Sequence, residues 1–200
     1  MIVKSIKQNK NNYSVIIDDN DIKLSEDVIV KFSLYVGKEI DEKVFYELTL
    51  AEDYNKIYNQ ALRYSIKYNK PKRAVYEYLH NKNHPSHLCK AIVNELEAKK
   101  VIDDYKIAEG LTLTYYKKGN GRHLIKARLE ALLIADLAID AAISKIDMDE
   151  YLESMNRYAL KYYERNYNYD NYIRIMKTKE YLKKHGYTYD EISRLKLNES

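Results

Sequence analysis

One leucine-centred pattern recurs three times along this 200-residue chain, and it limits the fold more than any other feature. Leu79, Leu129 and Leu182 fall at matching places in successive units. Ile139 and Ile192 follow the second and third leucines by ten residues, while Leu88 follows the first by nine. Ile146-Asp147 repeats Ile102-Asp103 after 44 residues, and each pair starts a tyrosine-bearing helical segment. A three-helix unit of about 45–50 residues is too small to stand alone and stacks on its neighbours. The expected product is an elongated, curved array that offers a long face to extended partners.

The periodicity changes near residue 45. Before it the chain reads as β. Ile2, Val3 and Ile6 lie in a short run closed by Asn9-Lys10-Asn11-Asn12, and Tyr13 to Ile17 form a second run. Ile22-Lys23-Leu24 then alternates briefly, so two apolar runs around an Asn-rich turn give a hairpin signal. Ser25-Glu26-Asp27 suits either a short helix or another strand. From Asp41 onward the apolar spacing is helical, with Pro71, Pro85 and Gly119-Asn120-Gly121 as breaks. Only 5 glycines and 2 prolines occur, which disfavours a turn-rich all-β protein. The fold class expected is mainly α: three tandem helix-turn-helix-like repeats after a small β-rich N-terminal domain. The expected divisions are 1–45, 46–102, 103–146 and 147–200.

Several function classes drop out. The most apolar stretch, Leu129 to Ile143, contains Glu130, Asp136 and Asp140, so it is no spanning helix. Met1-Ile2-Val3-Lys4-Ser5 lacks the basic-then-apolar pattern of a signal peptide. The single cysteine, Cys89, excludes an internal disulfide framework and points to the cytosol. Residues 1–50 carry 7 Lys against 9 Asp and Glu, whereas the rest of the chain holds 27 Lys and Arg against 21 acids. A modestly basic second part permits nucleic-acid contact without requiring it. The 22 tyrosines have AT-rich codons, and a low-GC genome accounts for them.

Four motifs, in order, resemble the RecX family of bacterial modulators of the RecA recombinase over nearly the whole chain. They are Ala61-Leu62, Tyr64 and Tyr78-Leu79; Leu96, Ile102-Asp103-Asp104 and Ala108; Lys118-Gly119-Asn120-Gly121, Ile125 and Leu129; and Lys184-His185-Gly186-Tyr187 with Ile192. Leu24-Ser25-Glu26-Asp27 and Gly37-Lys38 look like the small N-terminal domain of longer members. Two departures stand out. The family usually opens its second helix with a Ser-x-x-Glu box, and here Pro71 and Ala74 hold those places. Where a Gly-Ile commonly ends a later helix the chain has Leu133-Ile134, so that helix is expected to run on or turn differently. The resemblance implies a regulator without catalytic chemistry or cofactor. Such proteins lie in the groove of the RecA filament on single-stranded DNA and typically restrain ATP hydrolysis and strand exchange. It thus implies a part in homologous recombination, DNA repair and the SOS response.

The candidate contact residues are basic and sit near helix starts: Lys70, Lys72 and Arg73, then Lys117, Lys118, Arg122, Lys126 and Arg128, then Lys183 and Lys184. There they suit DNA phosphates or acidic partner surfaces. Of the pairs Tyr115-Tyr116 and Tyr162-Tyr163, helical spacing predicts one ring in the core and one exposed. His80, His84, His87 and Cys89 are zinc-type ligands without a recognised spacing. Asp103, Asp104, Asp147, Asp149 and Glu150 read as helix caps before metal ligands. Gly119-Asn120-Gly121-Arg122 is neither a P-loop nor a dinucleotide fingerprint.

The reading is a cytoplasmic, monomeric RecA modulator that binds the filament and single-stranded DNA, with duplex DNA as a further candidate. One alternative is a helix-turn-helix DNA reader acting without RecA, using Arg122, His123 and Lys126. Another is a protein-interaction repeat with no DNA contact.

Overall fold

In the computed structural model, which describes residues 1–197, a three-stranded sheet precedes ten helices. β1 (Val3–Gln8), β2 (Tyr13–Ile17) and β3 (Asn20–Leu24) form an antiparallel meander in that order. Alternation along β2 sends Val15 and Ile17 into the core with Val3 and Leu24, and leaves Ile16 facing outward. The ambiguous segment after β3 is a short helix, α1 (Glu26–Lys31). Its preceding Ser25 makes no cap; the Ser25 N–H and hydroxyl both donate to buried Glu52 at 2.7 and 2.8 Å.

Glu52 belongs to α2 (Glu42–Tyr68), which Asp41 starts by accepting the Val44 N–H at 2.7 Å. This one helix serves two cores. Leu48 packs with the sheet residues, and Ile57 and Ala61 pack with the next helices. α3 (Lys72–His80) and α4 (Ser86–Ala98) complete the first three-helix repeat. The second consists of α5 (Asp104–Lys117), α6 (Arg122–Ala131) and α7 (Asp136–Ser144). The third is α8 (Met148–Arg165), α9 (Asn171–Lys184) and α10 (Tyr189–Ser193).

Leu79, Leu129 and Leu182 are fully buried, each anchoring the second helix of its repeat. Four residues beyond each leucine, Asn83, Leu133 and Gly186 take left-handed backbone angles, with φ of 61°, 65° and 84°. A left-handed residue there ends the helix and turns the third helix back across it. The helix before Leu133-Ile134 therefore does not run on. Leu133 accepts the geometry usually given to glycine, at a cost of roughly 1–2 kcal/mol for its Cβ. The spacing after Leu79 also needs correction: Cys89, ten residues on, is fully buried, while Leu88 is only half-buried. All three repeats thus share the same interval. Within α7, Leu137 is 75% exposed, and Ile139 fills the core.

Buried apolar residues fall into four separate clusters in chain order, one for the sheet and one for each repeat. The accessible surface is 13059 Å². A compact monomer of this mass exposes about 9,900 Å². The excess belongs to a stack of small cores. Among the described residues no helix is long and apolar enough to cross a membrane.

Lys100 gives a direct test of the backbone argument. It is exposed just past α4 with φ of 57°, beside the Val101 N–H that donates to the Leu96 carbonyl. Lys100→Gly removes the Cβ strain without removing packing, and is expected to raise stability by roughly 0.5–1 kcal/mol in urea unfolding.

Candidate partner-binding surface

The surface available to a partner is what remains after the repeats have been joined. α3 and α6 begin after Pro71 and Gly121, neither of which supplies a side-chain cap. In each case the following repeat supplies it. The Lys72 N–H donates to Asp104 Oδ1 of α5 at 2.8 Å, and the other oxygen of that buried carboxylate accepts the Ala135 N–H at 3.2 Å. The Arg122 N–H donates to Tyr151 Oη of α8 at 3.0 Å. Tyr151 in turn donates to Glu191 Oε2 at 3.2 Å, while Glu191 Oε1 accepts from the Arg122 guanidinium at 2.8 and 3.0 Å. Burial pushes the Tyr151 phenol well above its ordinary range, which keeps it protonated and able to donate. In the third repeat α9 carries its own cap: Asp170 accepts the Ile173 N–H at 2.9 Å.

The second joint also brings two glycine motifs together. The Gly121 N–H donates to the His185 carbonyl at 2.7 Å, and the His123 N–H to the Gly186 carbonyl at 3.2 Å. A Cβ on Gly121 would lie 2.4 Å from Gly186 backbone, and one on Gly186 would lie 2.3 Å from the Leu124 nitrogen. Gly119-Asn120-Gly121 and His185-Gly186-Tyr187 are two halves of one close backbone contact.

The joints consume part of the basic set. Arg122 is clamped by Glu191 and lies over the Tyr151 ring at 5.4 Å. Lys72 pairs with Glu97 at 2.6 Å, Arg73 with Glu77 at 3.1 Å, and Lys126 with Asp140 at 2.9 Å. Lys70, Lys117, Lys118, Arg128, Lys183 and Lys184 take part in no ion pair among the described residues; Arg128 lies over Tyr115 instead.

Folding adds two cations that the linear pattern did not single out. Tyr158 of α8 donates its hydroxyl to the Lys117 carbonyl at 2.8 Å, and its ring fills the space beside Gly119. Arg157 and Lys161 flank that ring, each 5.8 Å from its centre. Tyr158 thus joins two pairs of exposed cations at the second joint, Arg157 and Lys161 beside its ring and Lys117-Lys118 on the backbone that its hydroxyl holds. None of the four pairs with a carboxylate among the described residues. Such a group of cations beside an aromatic face suits phosphodiester or acidic protein surfaces.

The tyrosine pairs behave differently from the simple helical expectation. Tyr115, Tyr116, Tyr162 and Tyr163 are all half-buried, because partner rings and cations cover the outer one of each pair. Arg128 covers Tyr115, Arg174 lies 3.7 Å over Tyr163, and Tyr162 stacks on Tyr181 at 4.2 Å. The histidine–cysteine group is dispersed: His80 stacks on Tyr76, His84 bonds Gln60 at 3.1 Å, and buried Cys89 has its thiol pushed up by desolvation. Among the described residues no three His, Cys, Asp or Glu side chains are placed to hold a metal ion. Asp103 and Asp147 cap α5 and α8.

No family model matches the chain. It is 28% identical over 159 residues to the regulatory protein RecX of Clostridium tetani, covering 79% of this chain and 73% of that protein. It is 25% identical over 197 residues to the regulatory protein RecX of Bacillus licheniformis, covering 96% of this chain and 73% of the relative. A crystal structure of regulatory protein RecX superposes with a TM-score of 0.79 over 97% of this chain and 98% of that one, at 23% identity.

The glycine contact at the second joint yields a paired prediction. Gly186→Ala meets Leu124 backbone and an unfavourable φ of 84°, and is expected to lose roughly 2–4 kcal/mol. Gly110→Ala in α5 meets nothing within 4 Å and is expected to gain about 0.5–1 kcal/mol. Thermal unfolding of the two variants beside the parent measures both.

Proposed function

Because the chain belongs to the RecX family of regulatory proteins, we propose that it binds the RecA filament on single-stranded DNA and restrains its ATP hydrolysis and strand exchange. The observation that carries the reading is the group of free cations around Tyr158, at the joint of an elongated repeat stack. A stack of small cores can follow a helical groove, as a ball of equal mass cannot. Lys117, Lys118, Arg157 and Lys161 face the phosphates or acidic side chains exposed in that groove, with Lys70, Arg128, Lys183 and Lys184 as outlying contacts. The action is steric and electrostatic, needs no cofactor, and takes place in the cytoplasm with the protein as a monomer.

The divisions at 1–45, 46–102, 103–146 and 147–200 serve this reading as one addressing domain and three groove-lining units. The net acidic sheet domain faces the recombinase or closes the end of the stack. The helix-turn-helix alternative has less support, since Arg122 and Lys126 hold Glu191 and Asp140 and are not free to read bases.

The test is DNA-dependent ATP hydrolysis by the cognate RecA on single-stranded DNA, with this protein titrated at two salt concentrations. Dose-dependent inhibition is expected, weaker at the higher salt because the contacts displace counterions. A variant with Lys117, Lys118, Arg157 and Lys161 changed to Glu is expected to raise the half-inhibitory concentration about tenfold or more. No inhibition at saturating protein with a folded helical spectrum overturns the proposal.

A further inference from the structure

The turn between α8 and α9 carries exposed tyrosines in close succession. Tyr167 is 74% exposed, Tyr172 73% and Tyr169 46%. Codon usage accounts for the number of tyrosines in the chain and not for where the fold leaves them bare. Among the described residues none of these three rings stacks on another ring, whereas Tyr151, Tyr162, Tyr181 and Tyr187 all lie against aromatic partners.

The turn is set without the three side chains. The Asn166 amide donates to the Tyr162 carbonyl at 2.7 Å, and Asp170 caps α9. The Arg174 guanidinium donates to the Tyr163 carbonyl at 3.2 and 3.3 Å, and the Tyr163 hydroxyl donates to Asn171 Oδ1 at 2.6 Å. Tyr167, Tyr169 and Tyr172 are thus presented on a pre-formed turn whose bonding does not use them.

A line of cations leads to this turn. Arg157, Lys161 and Arg165 stand four residues apart on α8, so they share one face over about 12 Å. All three are exposed and pair with no carboxylate among the described residues. Lys177 of α9 extends the line, 4.2 Å from the centre of the Tyr169 ring. Between Lys161 and Lys177 the acids are Glu164 and Asp170, and the Ile173 N–H engages Asp170. Charge alone suits duplex DNA or an acidic protein. Bare rings at the end of the line select unpaired bases, whose faces a duplex hides.

We propose that the α8–α9 turn is a base-stacking site for single-stranded nucleic acid. The strand's phosphates follow Arg157, Lys161 and Arg165 away from the second joint, and its bases stack on Tyr167, Tyr169 and Tyr172. This rests on the proposed contact with single-stranded DNA and adds to it a site that holds bases.

The experiment measures binding of the full chain to oligothymidine, to a strand of equal length without bases, and to a duplex of that length. Inhibition of RecA ATP hydrolysis is read alongside. Tyr167→Ala/Tyr172→Ala is expected to weaken oligothymidine binding about tenfold, with the abasic affinity and the helical spectrum unchanged. Tyr167→Phe/Tyr172→Phe keeps the parent affinity, because the ring remains. Lys161→Glu/Arg165→Glu weakens both single strands and makes the salt dependence shallower. Equal oligothymidine binding by the parent and the alanine variant overturns the inference, and inhibition of RecA by the parent then leaves the proposed function standing. An equal loss on the abasic strand, or tighter binding of duplex by the parent, also overturns the inference. So does an alanine variant that binds DNA like the parent but inhibits RecA less, which assigns the rings to a protein contact. Ring-dependent binding by a parent that does not inhibit RecA upholds the site and overturns the proposed function.

Discussion

Each of the first two repeats depends on its follower for a cap that its own sequence does not contain. An open N–H at a helix start costs about 1 kcal/mol when buried without a partner. Asp104 and Tyr151 remove that cost for Lys72 and Arg122 from outside the repeat. Stacking order is thereby written into helix capping. The absence of a Ser-x-x-Glu box at Pro71 and Ala74 ceases to be a defect, whereas α9 carries its own cap in Asp170.

The two joints use different chemistry for the same task. At the second, Gly121 and Gly186 let backbones approach closely, and an ion pair with a buried Glu191 locks the contact. At the first, Pro71 and Leu133 occupy the equivalent places, and spaces of about 410 and 450 Å³ remain on either side of Leu133. One carboxylate, Asp104, holds that joint through two backbone N–H groups. The second and third repeats form the tighter pair.

The repeat architecture was legible because its anchors are apolar residues at fixed spacing, and a buried leucine looks the same in each unit. Turn chemistry was legible at Gly119 and Gly186 and misleading at Leu133, where packing of the following helix overrides the preference for glycine. Cys89 was passed over for Leu88 because a small thiol and a larger alkyl chain compete for one register, and only the third helix's rotation decides. Arg122 read as a surface cation because Glu191 lies 69 residues away in the chain. Arg157 and Lys161 went unmarked for the converse reason: they join Lys117 and Lys118 only once Tyr158 docks beside Gly119. Charge pairing across repeats is a property of the stack and has no local signature.

The long α2 has a mechanical meaning. It is unbroken from Glu42 to Tyr68, about 40 Å of rigid rod, with the sheet core on one half and the first repeat on the other. Ser25 and Glu52 clamp the sheet to it as well. The N-terminal domain is therefore an outrigger on a stiff arm. Wherever the first repeat settles, the sheet is carried at one fixed distance from it, and a pull on the sheet is delivered to the first repeat without slack.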